Sequence, residues 1–362
     1  MRIGVDGRAF SGNITGVGRY IIELCKELAR ILPKTEFIVY SNQLIELPES
    51  LRSWSVHLDT RRFSRDLKPV LWLKTRCGAL CNNDKLDSFW GGAAFLPSLR
   101  PYVNSVLTVH DLTYNVLPSS MSLFHRLSFI AFFRNDVLKA TNITVNSQST
   151  AKRLTQLIGR NADAVIYPAV NPKFNSNAIY RLPLILQKYS IKSPYFLAAS
   201  TLEPRKNIEN LIYAFLRLKH ENNLTQEKLV LVGGRGWKDD RIFTLANSDN
   251  NILHLGYIPD EDLATLYSGA LAFIFPSIYE GFGIPVIEAR ACGATIITTD
   301  IPELHESGGI DAIYIRPNIN ELMKAMLNVA ISPKRLFAKD PNLPSWATGG
   351  KVLANLLEKR KI

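Results

Sequence analysis

Cysteine is scarce in this chain, and the four that occur, Cys25, Cys77, Cys81 and Cys292, do not form a ligand set. Cys77 and Cys81 have no second Cys or His pair at ligand spacing, which argues against a zinc site. Cys25 and Cys292 fall inside apolar helical patterns, so free thiols in a reducing cytoplasm are expected. Long hydrophobic runs are also missing. The N-terminus, "MRIGVDGRAFSG", carries Arg2, Asp6 and Arg8 where a signal peptide needs an apolar core, so export by that route is not expected. The stretch Leu263 to Tyr279 lacks Asp, Glu, Lys and Arg, but Ser268, Gly269, Pro276 and Ser277 make it too polar to span a bilayer. Acidic residues are in deficit, 32 against 43 Lys and Arg, and the resulting formal charge of +11 implies an anionic partner. Nucleic acid, a phosphate-bearing substrate and an acidic membrane surface all satisfy that charge.

The chain has 362 residues, more than one hydrophobic core usually supports, so two domains of about 150 to 200 residues are expected. With 46% hydrophobic and 21% charged residues it reads as folded rather than disordered. "RIGVD" reads as a first strand, "GRAFSGNITGVG" as a glycine-rich turn, and "GRYIIELCKELARIL" as a helix with Ile21, Ile22, Leu24, Cys25, Leu28, Ile31 and Leu32 on one stripe. Strand, glycine turn and helix open a nucleotide-type α/β unit. "FIVYS", "SVLTVH" and "NITVNS" continue as strands with helical stretches around them. Residues 165 to 183, "VIYPAVNPKFNSNAIYRLP", lose apolar periodicity and read as the interdomain linker. Then the rhythm restarts with "YFLAAS", "LVLVGG", "NILHLG", "LAFIFPS", "TIITTD" and "AIYI". The pattern predicts two doubly wound, parallel-sheet α/β domains, 1–170 and 185–340, with a C-terminal helix in 341–362 that could pack back on the first. A ligand then belongs at the carboxyl ends of the strands, facing a cleft.

Three constellations carry chemistry. The loop with Gly12, Gly16 and Gly18 is neither G-x-G-x-x-G nor a Walker loop, and it reads either as an anion-approaching backbone or as a flexible turn. In "STLEPRKN", Arg205 and Lys206 follow a strand and precede a helix, where cations and free amides suit a diphosphate and where two cations oppose the helix dipole. In "EGFGIPVIEARACG", Pro285 suits a first helical turn and Gly293 the position past its end. Glu280 on the loop and Glu288 in the first turns read either as a functional pair or as ordinary acids near a positive helix end.

These segments in this order, together with "GVGRY", "TVHDLTY", "LVGGRGW" and "GYIPDEDLATLYSGA", resemble the family four retaining glycosyltransferases of the GT-B fold. The resemblance covers most of the chain. It implies that Glu280 contacts the donor sugar, that Glu288 holds the nucleotide ribose, and that the backbone at Gly281, Phe282 and Gly283 lies by sugar and phosphates. It places the diphosphate on Arg205 and Lys206, the reacting centre at His110 with Asp111 beside it, and the phosphates and acceptor under the loop at Gly16. Ser200, Ala294, Thr295 and the segment "GGIDAIYI" depart from the usual pattern, which bears on edge packing and nucleobase contacts more than on catalysis.

The resemblance implies transfer with retention, the diphosphate oxygen accepting the acceptor's proton. No convincing D-x-D motif occurs, "WKDDR" reading as a solvated turn, and neither a metal nor a cofactor beyond the sugar nucleotide is expected. Closest in character are bacterial mannosyltransferases of O-antigen and related surface polysaccharides, which implies GDP-mannose as donor and a lipid-linked glycan as acceptor. The alternatives are a UDP- or dTDP-sugar donor, or a GT-B epimerase or phosphorylase. A nucleic-acid-binding protein would also be basic but leaves the Arg-Lys pair and the two glutamates unexplained. A cytoplasmic location is expected, with peripheral contact at an anionic inner membrane. Residues 61–76, "RRFSRDLKPVLWLKTR", and 124–134, "FHRLSFIAFFR", suit such a surface or, equally, amphipathic core helices with snorkelling arginines.

Overall fold

The structure, a computed structural model, describes residues 1–12, 15–222, 226–236, 240–333 and 343–359. Trp237 to Asp239 of "WKDDR" therefore lie outside the described residues. The chain divides into two compact units, Met1–Pro168 with Pro344–Ile362, and Ala169–Leu343.

The first unit is built on seven parallel strands, β1 (Arg2–Asp6), β2 (Glu36–Ser41), β3 (Ser55–Leu58), β4 (Ser88–Gly91), β5 (Asn104–Val109), β6 (Asn142–Val145) and β7 (Ala164–Val165), in the order β3-β2-β1-β4-β5-β6-β7. Side chains alternate across the sheet. Ile3, Val5, Phe37 and Val39 enter one core with Tyr20, Ile21 and Leu24 of the helix Gly16–Ile31. Ile38, Tyr40, Leu107 and Val109 enter the core on the other side. The C-terminal helix Trp346–Glu358 belongs to this unit and shares the first of these cores through Leu353, Ala354 and Leu357. Its approach is close because Gly350 faces Glu27: a Cβ there would stand 2.5 Å from that of Glu27. Its last carbonyls are capped from the sheet, by Asn104 Nδ2 to Leu356 O at 2.8 Å and Ser88 Oγ to Leu357 O at 2.6 Å.

The second unit has six parallel strands, β8 (Tyr195–Ala199), β9 (Lys228–Val232), β10 (Ile252–His254), β11 (Phe273–Phe275), β12 (Ile296–Thr299) and β13 (Ile313–Ile315), in the order β10-β9-β8-β11-β12-β13. Phe196 and Ala198 face one core, and Tyr195, Leu197 and Ala199 the other. Strands buried on both faces read as continuous apolar runs, which is why this unit's strands announce themselves in the sequence. β3 and β4 did not, because "SVHL" is half-exposed and "SFWG" is only four residues long.

Each sheet reverses direction beside its first strand, between β1 and β4 and between β8 and β11. Loops leave such neighbours on opposite sides, and the crevice between them is where doubly wound sheets bind ligands. Of the two readings of 61–76, the packed one holds for its second half, where Val70, Trp72 and Leu73 are buried and Trp72 Nε1 donates to Asp59 at 3.1 Å. Among the described residues no helix is long and apolar enough to cross a membrane.

Candidate active site

In the second unit the two loops at the sheet reversal meet. After β8, Pro204–Lys206 make one 3₁₀ turn, closed by Asn207 in the left-handed region at φ +59°, and the helix Ile208–Asn222 begins only then. After β11, residues 276–283 lead to the helix Ile284–Ala291, with Pro285 in its first turn. Ile278 N donates to Arg205 O at 2.9 Å, and the Arg205 side chain donates through Nη1 to Tyr279 O at 2.8 Å, so a backbone bond and a side-chain bond stitch the loops.

Charge closes the same seam. Glu280 pairs with Lys206 Nζ at 2.5 Å and with Arg205 Nη1 at 3.0 Å. Arg205 also donates through Nε and Nη2 to Glu203 Oε1, at 3.2 and 2.8 Å. The two cations that opposed a helix dipole in the sequence therefore meet two carboxylates, in a cluster of no net charge. Burial pushes the Glu280 carboxyl up, but Arg205 and Lys206 more than offset it and hold it at about 2. Burial, and then Arg205, push the Lys206 ammonium down, with Glu280 opposing both. Glu280 is thus an ionised carboxylate at any working pH. Lys206 also lies 5.0 Å from the centre of the Phe275 ring, a cation–π contact at the end of β11.

Glu288 is buried in the first turns of the helix Ile284–Ala291, and Gly281 and Phe282 are buried on the loop before it. Gly283 is the N-cap, at φ +92°. A Cβ there would stand 2.6 Å from Leu304 Cδ2 and 3.1 Å from Ser307 Oγ. Gly283→Ala is therefore expected to cost about 2 kcal/mol, from the left-handed backbone plus the crowding, and to lower the melting temperature in a thermal scan.

The first unit carries His110, Asp111 and Gly16. His110 follows β5, is buried, and its Nε2 stands 2.7 Å from Gly92 O beyond β4. A carbonyl only accepts, so Nε2 carries the proton and Nδ1 is left as an acceptor. Burial pushes the His110 pKa down against the opposing pull of Gly92 and Asp111, which keeps the imidazole neutral. Tyr20 packs edge-on against its ring, centroids 5.0 Å apart. The Asp111 carboxylate turns back on its own chain, accepting from Thr113 N at 2.9 Å. Gly16 opens the helix Gly16–Ile31, whose cap is Thr15, accepting from Gly18 N at 3.2 Å. Asn13 and Ile14 of the same loop lie outside the described residues.

The structure thus joins Arg205, Lys206 and Glu280 directly, while His110, Asp111 and Gly16 stand in the other unit. It adds two groups. Glu203 braces Arg205 from within the quoted "STLEPRKN". Arg8, held in a fork by the buried Asp6 at 2.6 to 3.0 Å, donates to Ala93 O at 3.0 Å across the first unit's own reversal between β1 and β4. Asp6 and Arg8 alternate on one side of a strand end, which was the available signal for that pair. Among the described residues no three His, Cys, Asp or Glu converge as metal ligands.

Residues 185–329 match the family described as glycosyl transferases group 1. The chain is 30% identical over 328 residues to O-antigen chain mannosyltransferase B of Escherichia coli, covering 84% of each. It is 30% identical over 211 residues to the serotype-specific mannosyltransferase WbdA of the same species, 55% of this chain but only 26% of that larger protein. Its fold superposes on WaaG, a glycosyltransferase involved in lipopolysaccharide biosynthesis, with a TM-score of 0.70 over 98% of this chain and 95% of that one, at 15% identity.

Proposed function

Because this chain belongs to the group 1 glycosyl transferases, we propose that it is a retaining α-mannosyltransferase using GDP-mannose and a lipid-linked glycan acceptor of O-antigen type. The similarity to O-antigen mannosyltransferases supports the choice of sugar. The observation that carries the chemistry is the cluster of half-buried Arg205 with buried Lys206 and Glu280 at the reversal between β8 and β11.

In this reading the bond between the sugar's anomeric carbon and the diphosphate oxygen breaks, and negative charge collects on the leaving oxygens. Lys206 and Arg205 meet that charge in a site from which water is largely excluded, where fixed cations act most strongly. These cations supply the charge stabilisation that a metal ion would otherwise bring, hence metal-independent transfer. The acceptor oxygen forms the new bond on the same face, and its proton passes to the departing diphosphate. Glu280, ionised and held from two sides, accepts hydrogen bonds from donor-sugar hydroxyls, and Glu288 holds the ribose. The loop backbone at Gly281, Phe282 and Gly283 lines sugar and phosphates, with the Gly16 loop over phosphates and acceptor. His110 is a neutral hydrogen-bond acceptor through Nδ1, suited to orienting a hydroxyl rather than to donating a proton, with Asp111 shaping its loop.

The purified protein, incubated with GDP-, UDP- and dTDP-sugars and lipid-linked acceptors, is expected to turn over GDP-mannose alone, to yield the α anomer by NMR, and to keep its rate in EDTA. Turnover only with UDP-sugars overturns the donor, an inverted anomer the stereochemistry, and loss of activity in EDTA the metal-free mechanism.

A further inference from the structure

Residues 123–139 form one helical rod in three continuous pieces, Leu123–Ser128, a π-helical stretch Phe129–Phe133, and Arg134–Lys139. Its inner face is accounted for: Phe133 and Val137 are buried in the first unit's core, and Phe129 and Phe132 pack against it. Its outer face should then be polar. It is not. Leu123 is 71% exposed, Leu127 55%, Ile130 60% and Leu138 51%. With Ala131 and Arg134, also exposed, they recur at helical spacing and share a single face.

Charge on this rod has one sign. The only acid between 121 and 141 is Asp136, which is buried and paired with Lys74, whereas Arg126, Arg134 and Lys139 are exposed. An aliphatic row beside unopposed arginines fits an interface whose interior is apolar and whose rim is anionic. A protein partner needs acids placed opposite particular arginines. A phospholipid bilayer needs only a row of aliphatics to insert and guanidinium groups to reach phosphates, and at about 1.5 Å per residue the rod would lie along some 25 Å of it. We propose that the outer face of 123–139 lies on the surface of an anionic phospholipid membrane, with Leu123, Leu127, Ile130 and Leu138 in the headgroup–acyl boundary and Arg126 and Arg134 on the headgroups. This sharpens the choice between the two segments singled out in the sequence: 69–77 turns its apolar residues inward, and 123–139 does not.

The inference stands on exposure and charge alone and survives a different donor or acceptor. Flotation of the full-length protein with vesicles of phosphatidylcholine containing phosphatidylglycerol, against phosphatidylcholine alone, tests it. Binding to the anionic vesicles is expected, and Leu127→Asp with Ile130→Asp should lower the partition coefficient by about tenfold or more. Arg126→Gln with Arg134→Gln should lose about tenfold on anionic vesicles only, and flatten the salt dependence. All four positions are exposed, and circular dichroism verifies that each variant folds. Wild-type protein that ignores anionic vesicles, or folded variants that bind them unchanged, overturns the proposal. So does light scattering that shows a dimer broken by the Leu127 and Ile130 substitutions without vesicle binding, which would assign the face to a second copy.

Discussion

Glu280→Gln is expected to lower the turnover of sugar transfer by about two to three orders of magnitude while nucleoside diphosphate binds as tightly as before, or more tightly. The asymmetry follows from the cluster. In the free protein Glu280 occupies Lys206 and one arm of Arg205, the groups proposed to meet the diphosphate. A neutral amide of the same shape leaves both cations in place and removes their competitor, so an incoming anion gains attraction. In the proposed reading the sugar, by contrast, loses a fully charged acceptor for its hydroxyls, and charge-assisted hydrogen bonds are about twice as strong as neutral ones. Stopped turnover with retained GDP binding by calorimetry is the expected pair of results. Equal loss of both would make Glu280 a structural strut. Stability supplies a second readout. The Glu280 carboxyl has a folded-state pKa of about 2 against an ordinary 4.5. A depressed acid stabilises the fold above its unfolded pKa, and that contribution, about 3 kcal/mol, fades as pH falls from 4.5 toward 2. The wild type should therefore lose melting temperature through that window more steeply than Glu280→Gln.

That cluster was half legible in the sequence. Arg205, Lys206, Glu280 and Glu288 stood out because each follows an apolar run, where a doubly wound sheet puts its ligands, and the resemblance then sorted their roles. Their mutual pairing was not legible. Residues 205 and 280 meet only because β8 and β11 are neighbours, and strand order is set by how helices pack on a sheet, not by any local pattern. Glu203 was in plain view yet unread, because an acid two residues before an arginine is common and only the turn at Pro204–Lys206 folds it onto the guanidinium. Both helical periodicity and glycine placement were informative: Gly293 adopts positive φ just past its helix, as its position suggested, whereas the positive φ of Gly283 at the other end was not read. The segment 61–76 left two readings open, since "VLW" on a basic background has the same composition facing lipid or core. Burial decided it, and burial depends on partners far along the chain.

One such partner is Asp136, sixty-two residues from Lys74, and Asp136→Ala is expected to cost about 3–5 kcal/mol. Lys74 and Asp136 form a buried ion pair that also clamps the loop after β4: Lys74 Nζ donates to Leu96 O at 2.7 Å and Leu96 N donates to Asp136 Oδ2 at 3.0 Å. Burial pushes the Asp136 carboxyl up, against the pull of Lys74, and pushes the Lys74 ammonium down, against the pull of Asp136. For each partner burial therefore outweighs attraction, so the pair as a whole adds little relative to an apolar pair of the same size. Removing one partner is a different matter, because it strands a charge and a backbone amide together. The two single substitutions, Asp136→Ala and Lys74→Met, should each be severe, and the double variant should fall short of their sum by about 2 kcal/mol, since the stranded charge is gone and only the Leu96 groups stay unpaired. Four of the five tryptophans, Trp54, Trp72, Trp90 and Trp346, belong to this unit, so in a Trp237→Phe background tryptophan fluorescence during urea unfolding follows it. Simple additivity of the two singles would show that the pair is screened by water and that the clamp on Leu96 holds the loop without it.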